Sequence, residues 1–293
     1  ILKEQNYVPH MGSVMLSGHG SRIIGVVLGF AVTHGMQALQ DSFVGELVGT
    51  IQTEAERNGY FVMLIGGEKI DNVNQALDRA VNNGVKNLIV QPTHLMHGAE
   101  YDELIGELDN YKDQFESVQV AEPLLGEVGA DATVINADKK AVAEILTAEA
   151  VKTAGYDSLD AAKEDGAAFV FMGHGTSHTA KVSYSQMQTQ MQELGYDNVF
   201  IGTVEGEPEE TACEAVIDAA AEAGYTKVIL RPLMVVAGDH ANNDMAGGDE
   251  DSWLSMFKAS GKFDSVDTQI AGLGEIEGIQ QIYVEHTADA MNQ

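Results

Sequence analysis

The fold is decided by NGVKNLIVQP at residues 83–92, which recurs as AGYTKVILRP at residues 223–232. Both segments run from a glycine through a short apolar stretch to a proline, the pattern of a helix end followed by a buried strand. The same offset of 140 residues joins further pairs: Asp78 with Asp218, Gly98 with Gly238, and His34-Gly35 with His174-Gly175. The repeat predicts two similar halves that face each other across a cleft.

Short apolar runs alternate with longer helical patterns along most of the chain, which is typical of βαβ units and a mainly parallel sheet. The predicted strands are 23–31, 61–65, 87–91, 118–121, 167–172, 199–204, 227–231 and 267–271. The predicted helices are 37–57, 73–82, 101–115, 139–153, 181–194, 211–223 and 276–291. We therefore predict two α/β domains, 1–155 and 156–293, and leave open whether the last helix packs back on the first domain.

The charge balance excludes some partners and favours others. The chain has 16 basic and 45 acidic residues, for a net charge of −29. Such a surface repels phosphate backbones, so nucleic acid is not expected as a partner. The same charge attracts cations and fits a divalent metal as ligand or substrate, although a solvated acidic surface is the commoner explanation.

Cysteine content and hydropathy narrow the class further. Cys213 is the only cysteine, so an intrachain disulfide and a cysteine-rich zinc site are excluded, and His, Asp and Glu remain as metal ligands. The longest apolar stretch, 23–32, is about half of the roughly 20 residues that span a bilayer, so no membrane span is expected. The cytoplasm is the favoured compartment, and export stays open because the sequence lacks an initiating Met.

Polar residues concentrate in the loops that follow the predicted strands. In open parallel sheets, ligands bind beyond the carboxyl ends of the strands. His174 follows the strand 167–172, Glu205 follows 199–204, and His240 lies in the loop after 227–231. The equivalent loop of the first half carries His94, His97 and Glu100.

His174, Glu205 and His240 follow three strands of one predicted sheet, where neighbouring strands are only about 5 Å apart. Imidazoles bind first-row divalent metals, and a carboxylate beside them binds metal or accepts protons. The sequence thus predicts a labile metal site with open positions. Unrelated polar groups on the loops remain the alternative.

The segments that contain His174, Glu205 and His240 resemble the anaerobic sirohydrochlorin cobaltochelatases, which belong with ferrochelatase to the class II tetrapyrrole chelatases. The segments are FMGHG at 171–175, GTVE at 202–205 and PLMVVAGDHANNDM at 232–245. DSW at 251–253 and GLG at 272–274 are also similar to that family, and the resemblance extends from about Ile70 to the C-terminus.

The resemblance implies a chelatase fold of two flavodoxin-like, Rossmann-like halves and a lyase that inserts Co²⁺ into sirohydrochlorin in anaerobic cobalamin biosynthesis. It implies catalytic and metal-binding roles for His174, Glu205 and His240, with Glu205 accepting or relaying a pyrrole proton. It also implies substrate contacts, which we assign to His94, Glu100, Leu233, Met234 and Gly238. Fe²⁺ and Ni²⁺ remain alternatives to Co²⁺ because the same ligands accept all three.

The first 69 residues depart from this family pattern. Family members open on a Ser-Phe-Gly-Thr-Ser type of loop, whereas this chain has LGFAVTHG at 28–35. The segment 14–22 resembles short single-domain chelatases, and 24–64 resembles periplasmic sugar-binding proteins. No site prediction depends on this region.

Several alternatives stay open. Sirohydrochlorin carries eight carboxylates, for which Arg231, Lys181 and helix N-termini are candidate partners. His97 is a candidate haem ligand, although an ordinary solvent-exposed loop histidine is the commoner explanation. The other candidate functions are a non-catalytic tetrapyrrole, haem or metal carrier of the same fold and a small-solute receptor. The sequence also leaves a homo-oligomer open.

Overall fold

The computed structural model describes residues 21–28, 42–66 and 70–293. Residues 1–20, 29–41 and 67–69 lie outside these ranges. They include His10, His19 and His34, the end of the predicted strand 23–31 and the start of the predicted helix 37–57. Within them, no helix has the length and hydrophobicity that crossing a membrane requires.

The first half is a four-stranded parallel sheet with flanking helices. Its strands are β1 (Ser21–Leu28), β2 (Phe61–Gly66), β3 (Val85–Pro92) and β4 (Ser117–Val120), in the order β2-β1-β3-β4. Its helices are α1 (Ser42–Arg57), α2 (Ile70–Asn82), α3 (Ala99–Tyr111) and α4 (Ala137–Thr153).

The second half repeats this topology. Its strands are β5 (Ala167–Gly173), β6 (Val199–Thr203), β7 (Lys227–Pro232) and β8 (Ser265–Thr268), in the order β6-β5-β7-β8. Its helices are α5 (Leu159–Glu164), α6 (Val182–Glu193), α7 (Cys213–Glu222), α8 (Trp253–Ala259) and α9 (Glu277–Met291). A π-helix spans His240–Met245. The predicted fold class, two similar parallel-sheet α/β halves, is confirmed.

The repeated glycines have a backbone reason. Gly84 and Gly224 end the helices before β3 and β7, with φ of +72° and +88°. This left-handed conformation closes a helix and costs an L residue with a Cβ more than glycine. The matched positions therefore reflect the same turn in both halves.

Some elements differ from their predictions. The last strand was predicted at 267–271 and lies at Ser265–Thr268; Ile270, which the predicted range included, lies beyond the strand and is 48% exposed. The short helix α5 was not predicted. It begins where the Ser158 side chain accepts a hydrogen bond from the Ala161 amide, and six residues are too few to show a helical period.

One apolar core joins the two halves. It contains Ile24 and Val26 of β1 together with Phe169 and Phe171 of β5. Helix α9, the last of the chain, packs on α1 and β3 of the first half. The boundary at 155/156 stays a prediction.

Tyr283 of α9 is fully buried and links that helix to the loop after β3. Its hydroxyl lies 3.1 Å from the carbonyl oxygen of Thr93 and 3.2 Å from that of His94. Tyr283→Phe should therefore lower the free energy of unfolding by roughly 1–2 kcal/mol, because it removes a buried hydrogen bond. Urea denaturation measures the loss. As a control, Tyr111→Phe, which removes an exposed hydrogen bond to Asp78, should lower the free energy of unfolding by less than about 0.5 kcal/mol. Equal losses of stability in the two variants would contradict the role of Tyr283.

Candidate functional site

A cavity of about 300 Å³ lies beyond the carboxyl ends of β3, β5 and β7 and is lined by both halves. Its lining residues are Thr93, His94, Leu95, Met96, Gly98, Ala99, Glu100, His174, Gly175, Thr176, Tyr184, Leu233, Met234, Val235, Val236 and His240. The position is the one expected for ligands of parallel sheets. Much of the lining is apolar, and the polar groups come from the loops after the strands.

His174 and His240 face each other at this cavity. Their ring centroids are 4.5 Å apart and the ring planes are inclined by 65°. His174 directly follows β5, and His240 begins the π-helix in the loop after β7. Because β5 and β7 are hydrogen-bonded neighbours, the two loops leave the sheet side by side.

Hydrogen bonds set which ring nitrogen of each histidine is available. Nδ1 of His174 lies 2.9 Å from the carbonyl oxygen of Gly175, and Nδ1 of His240 lies 2.6 Å from a carboxylate oxygen of Asp244. A carbonyl or an ionised carboxylate can only accept, so Nδ1 carries the hydrogen in each neutral ring. Nε2 then keeps its lone pair, which is the form that binds a metal.

Glu205 lies beside His174. Its backbone amide donates a hydrogen bond to the carbonyl oxygen of His174, at 2.9 Å. Gly175 makes this close approach possible: its φ is +91°, and a Cβ there would come within 2.8 Å of the Glu205 Cβ. The loops after β5 and β6 are thus held together at the base of the site.

The predicted metal ligands do not form a closed cluster. Across 21–28, 42–66 and 70–293, no three His, Cys, Asp or Glu side chains are grouped closely enough to hold a metal ion. The structure therefore pairs His174 with His240 and joins the Glu205 backbone to that of His174. Glu205 itself is exposed and is not among the residues that line the cavity. The metal and catalytic roles of all three stay predictions.

The first half contributes His94 and Glu100. His94 is 8% exposed, and its Nδ1 has no hydrogen-bond partner among the described residues. Burial lowers the pKa of His94, and the nearby Glu100 carboxylate partly opposes this shift. His94 is therefore neutral at neutral pH, with an unused nitrogen in the cavity wall.

The other predicted substrate contacts divide into two groups. Leu233 and Met234 line the cavity, Leu233 being fully buried. Gly238 is exposed and accepts hydrogen bonds from the backbone and side chain of Asn242, so it supports the start of the π-helix. It is not among the residues that line the cavity.

Sequence reasoning missed Tyr184 of α6. The Tyr184 side chain is buried, and its hydroxyl accepts a hydrogen bond from the Gly175 amide at 3.1 Å. A Cβ at Gly173 would lie 2.3 Å from the tyrosine ring, so this glycine makes room for it. Burial raises the pKa of Tyr184 to about 12, which keeps the hydroxyl protonated. A tyrosine within a helical pattern gives no sequence signal for such a role.

His97 is not among the residues that line the cavity, and it already has a partner. Its Nε2 is 2.6 Å from a carboxylate oxygen of Glu122, and its ring stacks on Tyr101 with centroids 4.3 Å apart. A haem iron at Nε2 would have to displace the carboxylate. The haem assignment stays a prediction.

The two basic candidates point to other partners. Arg231 is buried and donates through Nη1 to the Gln269 side chain, while Lys181 forms an ion pair with Glu207 at 2.6 Å. Neither lines the cavity. In this structure, both make contacts within the second half.

Comparison with known proteins gives one family. Residues 38–292 match the family described as cobalt chelatase (CbiK). The chain is 31% identical over 226 residues to the sirohydrochlorin cobaltochelatase of Salmonella typhimurium, covering 77% of this chain and 76% of that protein. It is also 31% identical over 227 residues to sirohydrochlorin cobaltochelatase CbiKC of Nitratidesulfovibrio vulgaris, covering 77% and 72%.

A solved structure supports the fold. SirB from Bacillus subtilis with Fe³⁺ aligns with a TM-score of 0.60 at 15% identity, over 93% of this chain and 96% of that one. At this level of identity, the likeness concerns the architecture of the two halves.

Proposed function

The chain belongs to the cobalt chelatase (CbiK) family, and we propose on this premise that it inserts Co²⁺ into sirohydrochlorin, the reaction for which the two relatives compared above are named. The observation that carries the proposal is the pair of histidine rings, His174 and His240, at the wall of one cavity. The reaction needs a metal ligand, a proton acceptor and a surface for the macrocycle.

The metal is the inorganic substrate, and the two Nε2 atoms are its proposed ligands. Imidazole suits first-row divalent ions, and two protein ligands leave positions open for the ring nitrogens of the substrate. An incomplete ligand set suits a site that must release its metal into the macrocycle. The net charge of −29 supplies a field that concentrates cations near the protein.

The apolar part of the lining suits the faces of a tetrapyrrole. Leu95, Met96, Leu233, Met234 and Val235 provide this surface. The cavity is at the lower end of the usual range for small-molecule sites, about 300–1,000 Å³, so it takes part of the macrocycle. Within the described ranges, no Lys or Arg lines it, and we place the carboxylate arms of the substrate at its open side.

Metallation releases two pyrrole protons. We propose Glu205 as the acceptor on the metal side, since its backbone is hydrogen-bonded to that of His174. His94 and Glu100 reach the cavity from the first half. His94 is a second acceptor of suitable form, because burial lowers its pKa and keeps it neutral.

An anaerobic absorbance time course with sirohydrochlorin and Co²⁺ tests the proposal. The wild-type protein should metallate the substrate faster than a control without protein, since it supplies ligands and a proton acceptor. Spectral change on binding without metallation would favour the non-catalytic tetrapyrrole carrier. A time course identical to that of the control would contradict both functions. Parallel runs with Fe²⁺ and Ni²⁺ would establish the preferred metal.

A further inference from the structure

The carboxylate of Asp244 lies behind His240, on the side of the ring opposite to Nε2. Its Oδ2 is 2.6 Å from Nδ1 of His240. The two residues are four apart in the π-helix, so their side chains share one face of it. This contact is shorter than the 2.9 Å between Nδ1 of His174 and the carbonyl oxygen of Gly175.

The surrounding segment fixes this geometry. Ala241 and Met245 anchor the π-helix in the protein interior, both fully buried. The Asn242 side chain donates to the carbonyl oxygens of Ala237 and Gly238, at 3.1 and 2.8 Å. After the π-helix, the Gly247 amide donates to the Asn243 carbonyl oxygen at 3.0 Å. The backbone that carries His240 and Asp244 is therefore held at both ends.

We infer that Asp244 is a positioning residue for metal capture, which holds His240 as its Nδ1–H tautomer and so presents Nε2 to Co²⁺. A carboxylate behind a metal-bound imidazole fixes the ring orientation and offsets the positive charge that the ring gains on binding. This role rests on the proposed function of His240 as a metal ligand. It concerns binding of the metal alone, before any macrocycle takes part.

The two histidines then differ as ligands. His174 is backed by the neutral carbonyl of Gly175, whereas His240 is backed by a charged carboxylate. A charged acceptor gives the stronger hydrogen bond. His240 is thus the anchoring ligand of the pair, and His174 is the one that gives up the metal first.

Titration with Co²⁺ alone, followed by its visible absorption bands, tests the inference. Asp244→Ala should weaken Co²⁺ binding by about 10–100-fold, the usual cost of losing such a partner. Asp239→Ala is the matched control, because it removes the same charge from an exposed neighbour of His240. It should leave the affinity within about threefold, since exposed charges contribute little.

The tautomer of His240 gives a second measurement, which would not change if Asp244 only stabilised the fold. Long-range ¹H–¹⁵N spectra of the metal-free protein should show His240 with its hydrogen on Nδ1, and Asp244→Ala should reduce that population. Comparison with His240→Ala assigns the signal. Thermal denaturation checks that Asp244→Ala is folded; if it is not, Asp244→Leu, which has a side chain of similar size but no hydrogen-bond acceptor, replaces it in both measurements.

Wild-type Co²⁺ affinity together with an unchanged tautomer in a folded Asp244 variant would overturn the inference, and so would a wild-type protein that binds no Co²⁺. The failure of the proposed function looks different. In that case, the wild-type protein binds Co²⁺ and loses affinity on Asp244→Ala, yet does not metallate sirohydrochlorin.

Discussion

Replacing His174 by Ala should lower the rate of Co²⁺ insertion by about 1,000-fold or more. The substitution removes one of two proposed ligands, and several kcal/mol of metal stabilisation correspond to a change of this size. His240→Ala should be at least as severe, because His240 is the anchoring ligand of the pair. Because the two rings act on one ion, the double variant should lose little more than either single variant. The anaerobic absorbance assay measures all three.

His178→Ala is the matched control for this prediction. His178 lies four residues after His174 in the same loop, and its Nε2 is 3.2 Å from a carboxylate oxygen of Asp102 at a partly exposed position. Such pairs contribute about 0–1 kcal/mol, so its removal should change the rate less than about fivefold. Additive losses in the double variant, or an active His174→Ala protein, would show that the metal is held elsewhere.

Replacing Glu205 by Gln should lower turnover by about 10²–10⁴-fold, the usual contribution of a general base. Co²⁺ binding should persist, because the two Nε2 atoms remain and the hydrogen bond from residue 205 to His174 is made by the backbone. Turnover is measured with sirohydrochlorin and Co²⁺, and affinity with Co²⁺ alone.

Glu209→Gln is the control for charge, since Glu209 is an exposed carboxylate a few residues further along the chain. It should be close to wild type. Equal loss of turnover and of Co²⁺ affinity in Glu205→Gln would make Glu205 a metal ligand instead. Unchanged turnover would move the proton-accepting role to His94 or Glu100.

The sequence predicted the fold well because the fold is repeated. Gly84 and Gly224 mark the same helix end in both halves, and the apolar runs after them form β3 and β7. The prediction of the last strand was less accurate, because an apolar residue there is not buried. Ile270 is apolar but exposed, and it lies outside the last strand, whose predicted range had included it.

The sequence predicted those parts of the site that lie directly after the strands. His174 and His240 were expected to converge because parallel strands end at one edge of the sheet, and their rings do meet. Tyr184 and Asp244 were not foreseen as parts of the site. Their positions depend on how α6 and the π-helix pack, which no periodicity in the sequence encodes.

Anomalous diffraction from crystals of the protein with Co²⁺ tests the central claim most directly, because it locates the metal without relying on turnover. We expect one Co²⁺ at the wall of the cavity, bound by Nε2 of His174 and Nε2 of His240 at about 2.0–2.2 Å, the range for imidazole nitrogen on such ions. Co²⁺ bound outside the cavity, or through Nδ1 of either ring, would contradict it.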